Sequence, residues 1–260
     1  MRGGAVRIAF PLPASDFDPT ETAVPWRALR DAGHELVFAT PDGVPARADH
    51  RVLEGTGLWP WTPFLQARSH AVRLYGEMAG HPAFQAPLRY EQLDASSLDG
   101  LVLTGGHAPA MRPYLESLTL QTLAGTLLES GRVVGALCHG VLIPARAVLG
   151  GRSAIHDRRV TALLASQEYT AWALTGLWLG RYYRTYPQSV EAEVTAALAD
   201  PGQFQHGPFS LLREGPERPE AGFVVRDRNL LTARSYGDAY RFADVLVGML
   251  AEGGAGRTDV

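Results

Sequence analysis

The sequence predicts an α/β protein, a three-layer sandwich with a mostly parallel central sheet. Three observations carry that expectation. Short apolar runs at 5–10, 34–40, 99–104 and 132–137 alternate with segments of helical period, as in parallel sheets covered on both faces. The first two runs flank a helix with short joins, a βαβ unit whose right-handed crossover makes its strands parallel. And 260 residues, 46% apolar and 20% charged, suffice for a substantial core.

Taken in order, residues 5–10 form a first buried strand, followed by a Pro- and Asp-rich loop to Thr20. A helix then begins near Thr20 or Thr22, with Pro25 in its first turn and Gly33 as its C-cap. Residues 34–40 are the second strand, closed by Pro41-Asp42-Gly43. The Gly-, Pro- and Trp-rich stretch 44–63 reads as an ordered insertion, and 67–80 as helical. Strand 99–104 runs into Gly105-Gly106-His107, a glycine pair that lets backbone approach a ligand. Pro113 opens a long helix through Ser130, and 132–137 is the central strand that delivers Cys138. A helix at 141–148 is ended by Gly150-Gly151; a further strand at 159–164 precedes helices at 167–179 and 190–199. Residues 223–226 and 230–234 form a hairpin about Asp227-Arg228-Asn229, and 238–251 a closing helix. No repeat or composition break divides the chain. Residues 1–252 therefore read as one domain with insertions near 44–80 and 180–215, and 253–260 as a disordered tail.

Composition removes several function classes. A net charge of −3 offers no basic field for nucleic acid or an anionic bilayer. No stretch is apolar enough for a signal peptide or a membrane span, which predicts a cytoplasmic protein. All 24 basic residues are arginine, so a P-loop lysine, a Schiff base and a Ser-Lys dyad are impossible. One cysteine builds no disulfide, CxxC pair or thiolate zinc site, and the eight histidines lack ligand spacing, so no metal is expected.

The strongest signal is Val133 to Gly140, an apolar strand followed by Ala136-x-Cys138-x-Gly140 and a helix. A nucleophile on such an elbow sits in a strained turn that tolerates only small residues two positions away. The following helix N-terminus lowers the pKa of a thiol there and makes it reactive. The plainer alternative is a buried core cysteine.

Three separated features, Cys138-His139-Gly140, Gly105-Gly106-His107 and Glu21 four residues before Pro25, resemble the ThiJ/PfpI superfamily, nearest its glyoxalase III and chaperone-like branch. The resemblance spans most of the chain and implies a flavodoxin-like, class I glutamine amidotransferase-like fold, a homodimer and no cofactor. It implies that Glu21 is protonated and hydrogen-bonds Cys138, and that His139 pairs with a later acid. Glu168 is the candidate, with Asp157 in reserve. The backbone N–H groups of Gly106 and His139 form the implied oxyanion hole, with Gly105 binding substrate beside it. His107 contacts substrate or stacks on the insertion; Trp59 and Trp61 wall the site or pack the insertion; residues 181–186 read as a solvated helix end or dimer contact rather than an RNA platform.

The implied activity is cofactor-independent attack on a small reactive carbonyl through a hemithioacetal at Cys138, with Glu21 and His139 moving protons. Acyl transfer on an amide substrate is a second reading, and a redox sensor or holdase chaperone a third.

Overall fold

The computed structural model describes residues 5–208 and 215–255 of the chain. Seven strands form the central sheet: β1 Arg7–Pro11, β2 Glu35–Thr40, β3 Leu88–Arg89, β4 Gly100–Leu103, β5 Val133–Leu137, β6 Val224–Asp227 and β7 Leu230–Ala233. Their spatial order is β6-β7-β5-β4-β1-β2-β3. Every pairing is parallel except the β6–β7 hairpin. Strands β4, β5 and β7 are buried along their whole length, which explains their unbroken apolar character.

Helices cover both faces and complete the three-layer α/β sandwich. On one face α1 (Pro19–Asp31) packs against both α2 (Ser69–Ala79) and α7 (Ala239–Ala255). On the other, α3 (Leu118–Glu129) packs against β5 and α4 (Leu142–Arg146). Helices α5 (Ala165–Leu179) and α6 (Val190–Ala196) follow in the second half of the chain. Trp26 of α1 and Phe242 of α7 are fully buried in the core between these layers.

The structure corrects several expected boundaries for local reasons. Asp18 caps α1, accepting from the N–H groups of Thr20 and Glu21 at 2.8 and 3.0 Å, so the helix starts at Pro19 and Pro25 lies inside it. There Pro25 lacks the N–H that would bond the Glu21 carbonyl. The long helix from Pro113 is two pieces, Arg112–Leu115 and α3, because Ser117 caps a new start. After the elbow, a 3₁₀ turn (Cys138–Val141) leads into α4, and Gly150-Gly151 turns a small hairpin, Val148–Leu149 with Arg152–Ser153, instead of ending a helix. Residues 159–164 join no sheet: Val160 makes only an isolated bridge to Phe204. Of the expected tail, 253–255 continue α7, while 256–260 lie outside the described residues. Among the described residues no helix is long and apolar enough to cross a membrane.

Candidate functional site

The carboxyl ends of the adjacent parallel strands β1, β4 and β5 bring three loops to one edge of the sheet. In open α/β sheets that edge is where ligands bind. Strand β5 ends in extended backbone at Leu137, and the chain then turns sharply at Cys138, whose φ is +55°. A non-glycine residue held there stores strain of order 1–3 kcal/mol. The expected small neighbours are required by contact. A Cβ on Gly140 would strike the carbonyl oxygens of Leu103 and Thr104, and Ala136 pairs in register with Leu103 on one side and Thr232 on the other.

The glycine loop after β4 backs directly onto this elbow. A Cβ on Gly105 would lie 2.5 Å from Glu21 Oε2 and 2.6 Å from Cys138 Cβ, and one on Gly106 would lie 2.5 Å from the Asp16 carbonyl oxygen. Hydrogen bonds fix the loop to α1: the Asp18 N–H donates to the Gly105 carbonyl at 2.8 Å, and the Gly105 N–H donates to Glu21 Oε2 at 2.9 Å. The hydroxyls of Thr22 and Thr104 meet at 2.7 Å. The Glu21 carboxyl also faces the Cys138 thiol and the Tyr236 backbone, both of which act on its proton, while its Oε1 has no hydrogen-bond partner.

Burial, reinforced by the charge of Asp18, pushes the Glu21 carboxyl well above the usual carboxylate range. Glu21 therefore holds a proton beside the sulfur, where it can donate or return it. Burial and any charge on Glu21 push the Cys138 thiol up, opposed by the His139 backbone N–H. This differs from the lowered thiol expected from a helix dipole. The sulfur is fully buried, and the elbow leads through a 3₁₀ turn into only a short helix, which leaves little dipole to offset desolvation.

His139 is fully buried with Nδ1 3.5 Å from Cys138 Sγ, and its Nε2 has no hydrogen-bond partner. Burial drives its imidazole down, and holds His107 down at about 4. The two rings pack edge to face at 5.3 Å. Neither expected acid orients His139. Glu168 is buried, but it accepts from the Val190 N–H at 3.2 Å and pairs with Arg184 at 3.7 Å, capping α6 instead. Asp157 is 72% exposed and bound by Arg228.

The segment 178–186 covers the site; within residues 181–186, expected as a solvated helix end or dimer contact, Tyr183 and Thr185 are buried rather than solvated. Tyr183 is buried and stacks on His107 at 5.2 Å; the Thr185 hydroxyl donates to the His107 carbonyl at 2.5 Å, and Arg112 donates to the Thr185 carbonyl at 2.7 Å. Tyr182 donates to buried Asp49 at 2.5 Å and Trp178 to the Gly57 carbonyl at 2.7 Å, tying the cover to the 44–63 insertion. Trp59 walls nothing, being 81% exposed. Sequence reasoning missed Tyr183, Thr185 and Tyr236, since no local pattern marks side chains that arrive from distant loops. It also missed Asp18, although Asp18-Pro19 is a legible cap and first-turn pair. A groove of about 390 Å³ lies elsewhere, between α1, α2 and α7, and includes no elbow residue.

One donor atom each from His107, Cys138 and His139 lies within 4.8 Å of the other two, and the same holds for Asp16, Asp49 and His50. The first set comes from two loops, which linear ligand spacing does not reveal.

Comparison with known proteins adds to this geometry. The sequence profile described as ThiJ/PfpI family-like matches residues 12–208. An uncharacterized protein of Schizosaccharomyces pombe is 27% identical over 150 residues, 55% of each chain, and protein DJ-1 homolog D of Arabidopsis thaliana is 32% identical over 88 residues, 34% of this chain and 21% of that one. The chain thus matches only about half, or a fifth, of these relatives' lengths. Among solved structures, glyoxalase III of Candida albicans superposes with a TM-score of 0.65 at 18% identity, covering 95% of this chain and 98% of that one. Drosophila melanogaster DJ-1beta does so with a TM-score of 0.58 at 16% identity, covering 97% and 95%. At such identities the likeness speaks for the fold.

Proposed function

Because the chain belongs to the ThiJ/PfpI family and shares its fold with a protein named glyoxalase III, we propose that it is a cysteine-dependent enzyme acting on small reactive carbonyls without a cofactor. The observation that carries this reading is Cys138 at φ +55° with the Glu21 carboxyl and the His139 imidazole both at its sulfur. The thiol adds to an aldehyde carbon: the S–H bond breaks, an S–C bond forms, and the carbonyl oxygen gains the proton as a hemithioacetal. Glu21 and His139 relay that proton and, for a 2-oxoaldehyde, move the former aldehyde hydrogen to the neighbouring carbon. The N–H groups of Gly106 and His139 hold the developing oxyanion, and His107 faces the substrate. His139 acts without a carboxylate partner, since Glu168 serves the cover. The homodimer implied by the family goes with this reading.

Acyl transfer on amides is less favoured, because His139 adjoins the nucleophile in sequence and has no orienting acid. The test is turnover of methylglyoxal. Replacing the nucleophile, Cys138→Ala, is expected to lower kcat/KM on the order of a thousandfold or more. Full activity in that variant ends the proposal, whereas ammonia release from glutamine by the wild type selects the acyl-transfer reading.

A further inference from the structure

His107, Cys138 and His139 carry more than a nucleophile needs. The His107 Nδ1 atom is buried without a hydrogen-bond partner, on a residue 8% exposed, and the nitrogen of His139 that faces the site, Nδ1, meets the Cys138 sulfur. An orphaned buried polar atom is costly, and this one stands on a ring packed edge to face with that of His139. An unpartnered imidazole nitrogen carries the lone pair that a metal takes. The distances fit as well. Tetrahedral zinc with Zn–S of about 2.3 Å and Zn–N of about 2.0–2.1 Å requires a sulfur-to-nitrogen edge of roughly 3.5–3.6 Å, and Sγ stands 3.5 Å from His139 Nδ1. A His107 nitrogen within 4.8 Å of both other donor atoms stands where a third corner would fall.

We infer that Cys138, His107 and His139 form a binding site for a thiophilic divalent cation of the Zn²⁺ class, which takes the nucleophile's sulfur as a ligand. The inference deepens the proposed function and rests on it for one consequence, that a metal on the sulfur blocks turnover. On binding, the S–H bond breaks and an S–metal bond forms, the thiol proton and the proton held by Glu21 both leaving to solvent, with no change of oxidation state. A bound 2+ ion facing one thiolate and one carboxylate gives a nearly neutral enclosed site. The Asp16, Asp49 and His50 cluster does not compete for this role, because Asp49 already accepts from the N–H groups of Arg51 and Val52 and from Tyr182.

Titration of the reduced full chain with Co²⁺ tests the site. The expected result is one ion per chain, a near-ultraviolet thiolate-to-cobalt charge-transfer band, visible bands of tetrahedral intensity, and displacement of all of these by Zn²⁺. Cys138→Ser should abolish the charge-transfer band, His107→Gln should weaken Co²⁺ binding at least tenfold, and His50→Ala should change neither. If His107→Gln does not fold, Zn²⁺ protection of wild-type Cys138 from alkylation, reversed by a chelator, reads the same contact. Cobalt bound without the charge-transfer band, unchanged affinity in folded His107→Gln, or no protection of the thiol overturns the inference. These optical and alkylation readouts do not need turnover. A protein inert toward aldehydes that still shows them loses the proposed function alone, and an active protein that lacks them loses the metal site alone.

Discussion

At the scale of single residues, the site is assembled by exclusion as much as by attraction. Gly105 is present because any Cβ there would occupy the space of Glu21 Oε2 and Cys138 Cβ. Gly105→Ala is therefore expected to destabilise the protein by about 1–3 kcal/mol, as overpacking does, and to lower kcat/KM about a hundredfold by displacing the acid from the sulfur. Gly131→Ala is the control: its φ of +76° makes the change strained, but no atom lies within 4 Å, so stability falls while activity holds. Thermal melts and steady-state rates on both variants decide this. The elbow, the glycine pair and Glu21 were legible in the sequence because each is a local pattern with a steric cause. The partner of Glu168 was not, since a buried glutamate in the first turn of α5 serves equally to orient a histidine or to cap a neighbouring helix, and only the path of 180–190 distinguishes these.

At the scale of elements, strands β1, β2, β4, β5 and β7 could be read from their apolar runs, whereas the two-residue edge strand β3 carries too little pattern to be seen. Residues 159–164 looked like a strand because Val160 and residues 162–164 make a mostly apolar run. Their backbone is satisfied differently: the Thr161 N–H donates to the Thr232 hydroxyl at 2.9 Å, beside rather than within the sheet. Helix α5 shows another limit of periodicity. Its polar residues Glu168 and Thr175 point inward, while Trp172, Leu177 and Trp178 are exposed. The covering segment that follows it is held to the insertion by the Tyr182 to Asp49 bond. Tyr182→Phe removes that donor from a buried carboxyl, costing about 1–3 kcal/mol, and should loosen the cover locally. The expected outcome is severalfold faster alkylation of Cys138, measured by intact mass, with native secondary structure retained. An unchanged rate would show that the sulfur is reached by another route.

At the scale of the whole molecule, the buried imidazoles couple folding to pH. His107 lies at about 4 in the folded protein against 6.5 for an ordinary imidazole. Its neutral form therefore contributes stability above 6.5, and that contribution is lost as pH falls from 6.5 toward 4. His139 shifts in the same direction. Glu21 has the opposite sign, its contribution being present below 4.5 and lost as pH rises. A comparison of variants isolates the histidine: between pH 7 and 4, wild type should lose up to about 3 kcal/mol more than His107→Gln. Denaturant midpoints at the two pH values measure the difference, and equal losses would place His107 in solvent.

The acid, thiol and imidazole all stand on a helix turn and loops locked to the sheet, whereas what shuts water out comes from 178–186 and the 44–63 insertion. Admission and reactivity are thus inherited separately along the chain. Changes in the covering residues can alter which molecules gain entry while Glu21, Cys138 and His139 stay as they are, so on the proposed reading the choice of substrate and the reactivity of the sulfur are set by different parts of the chain.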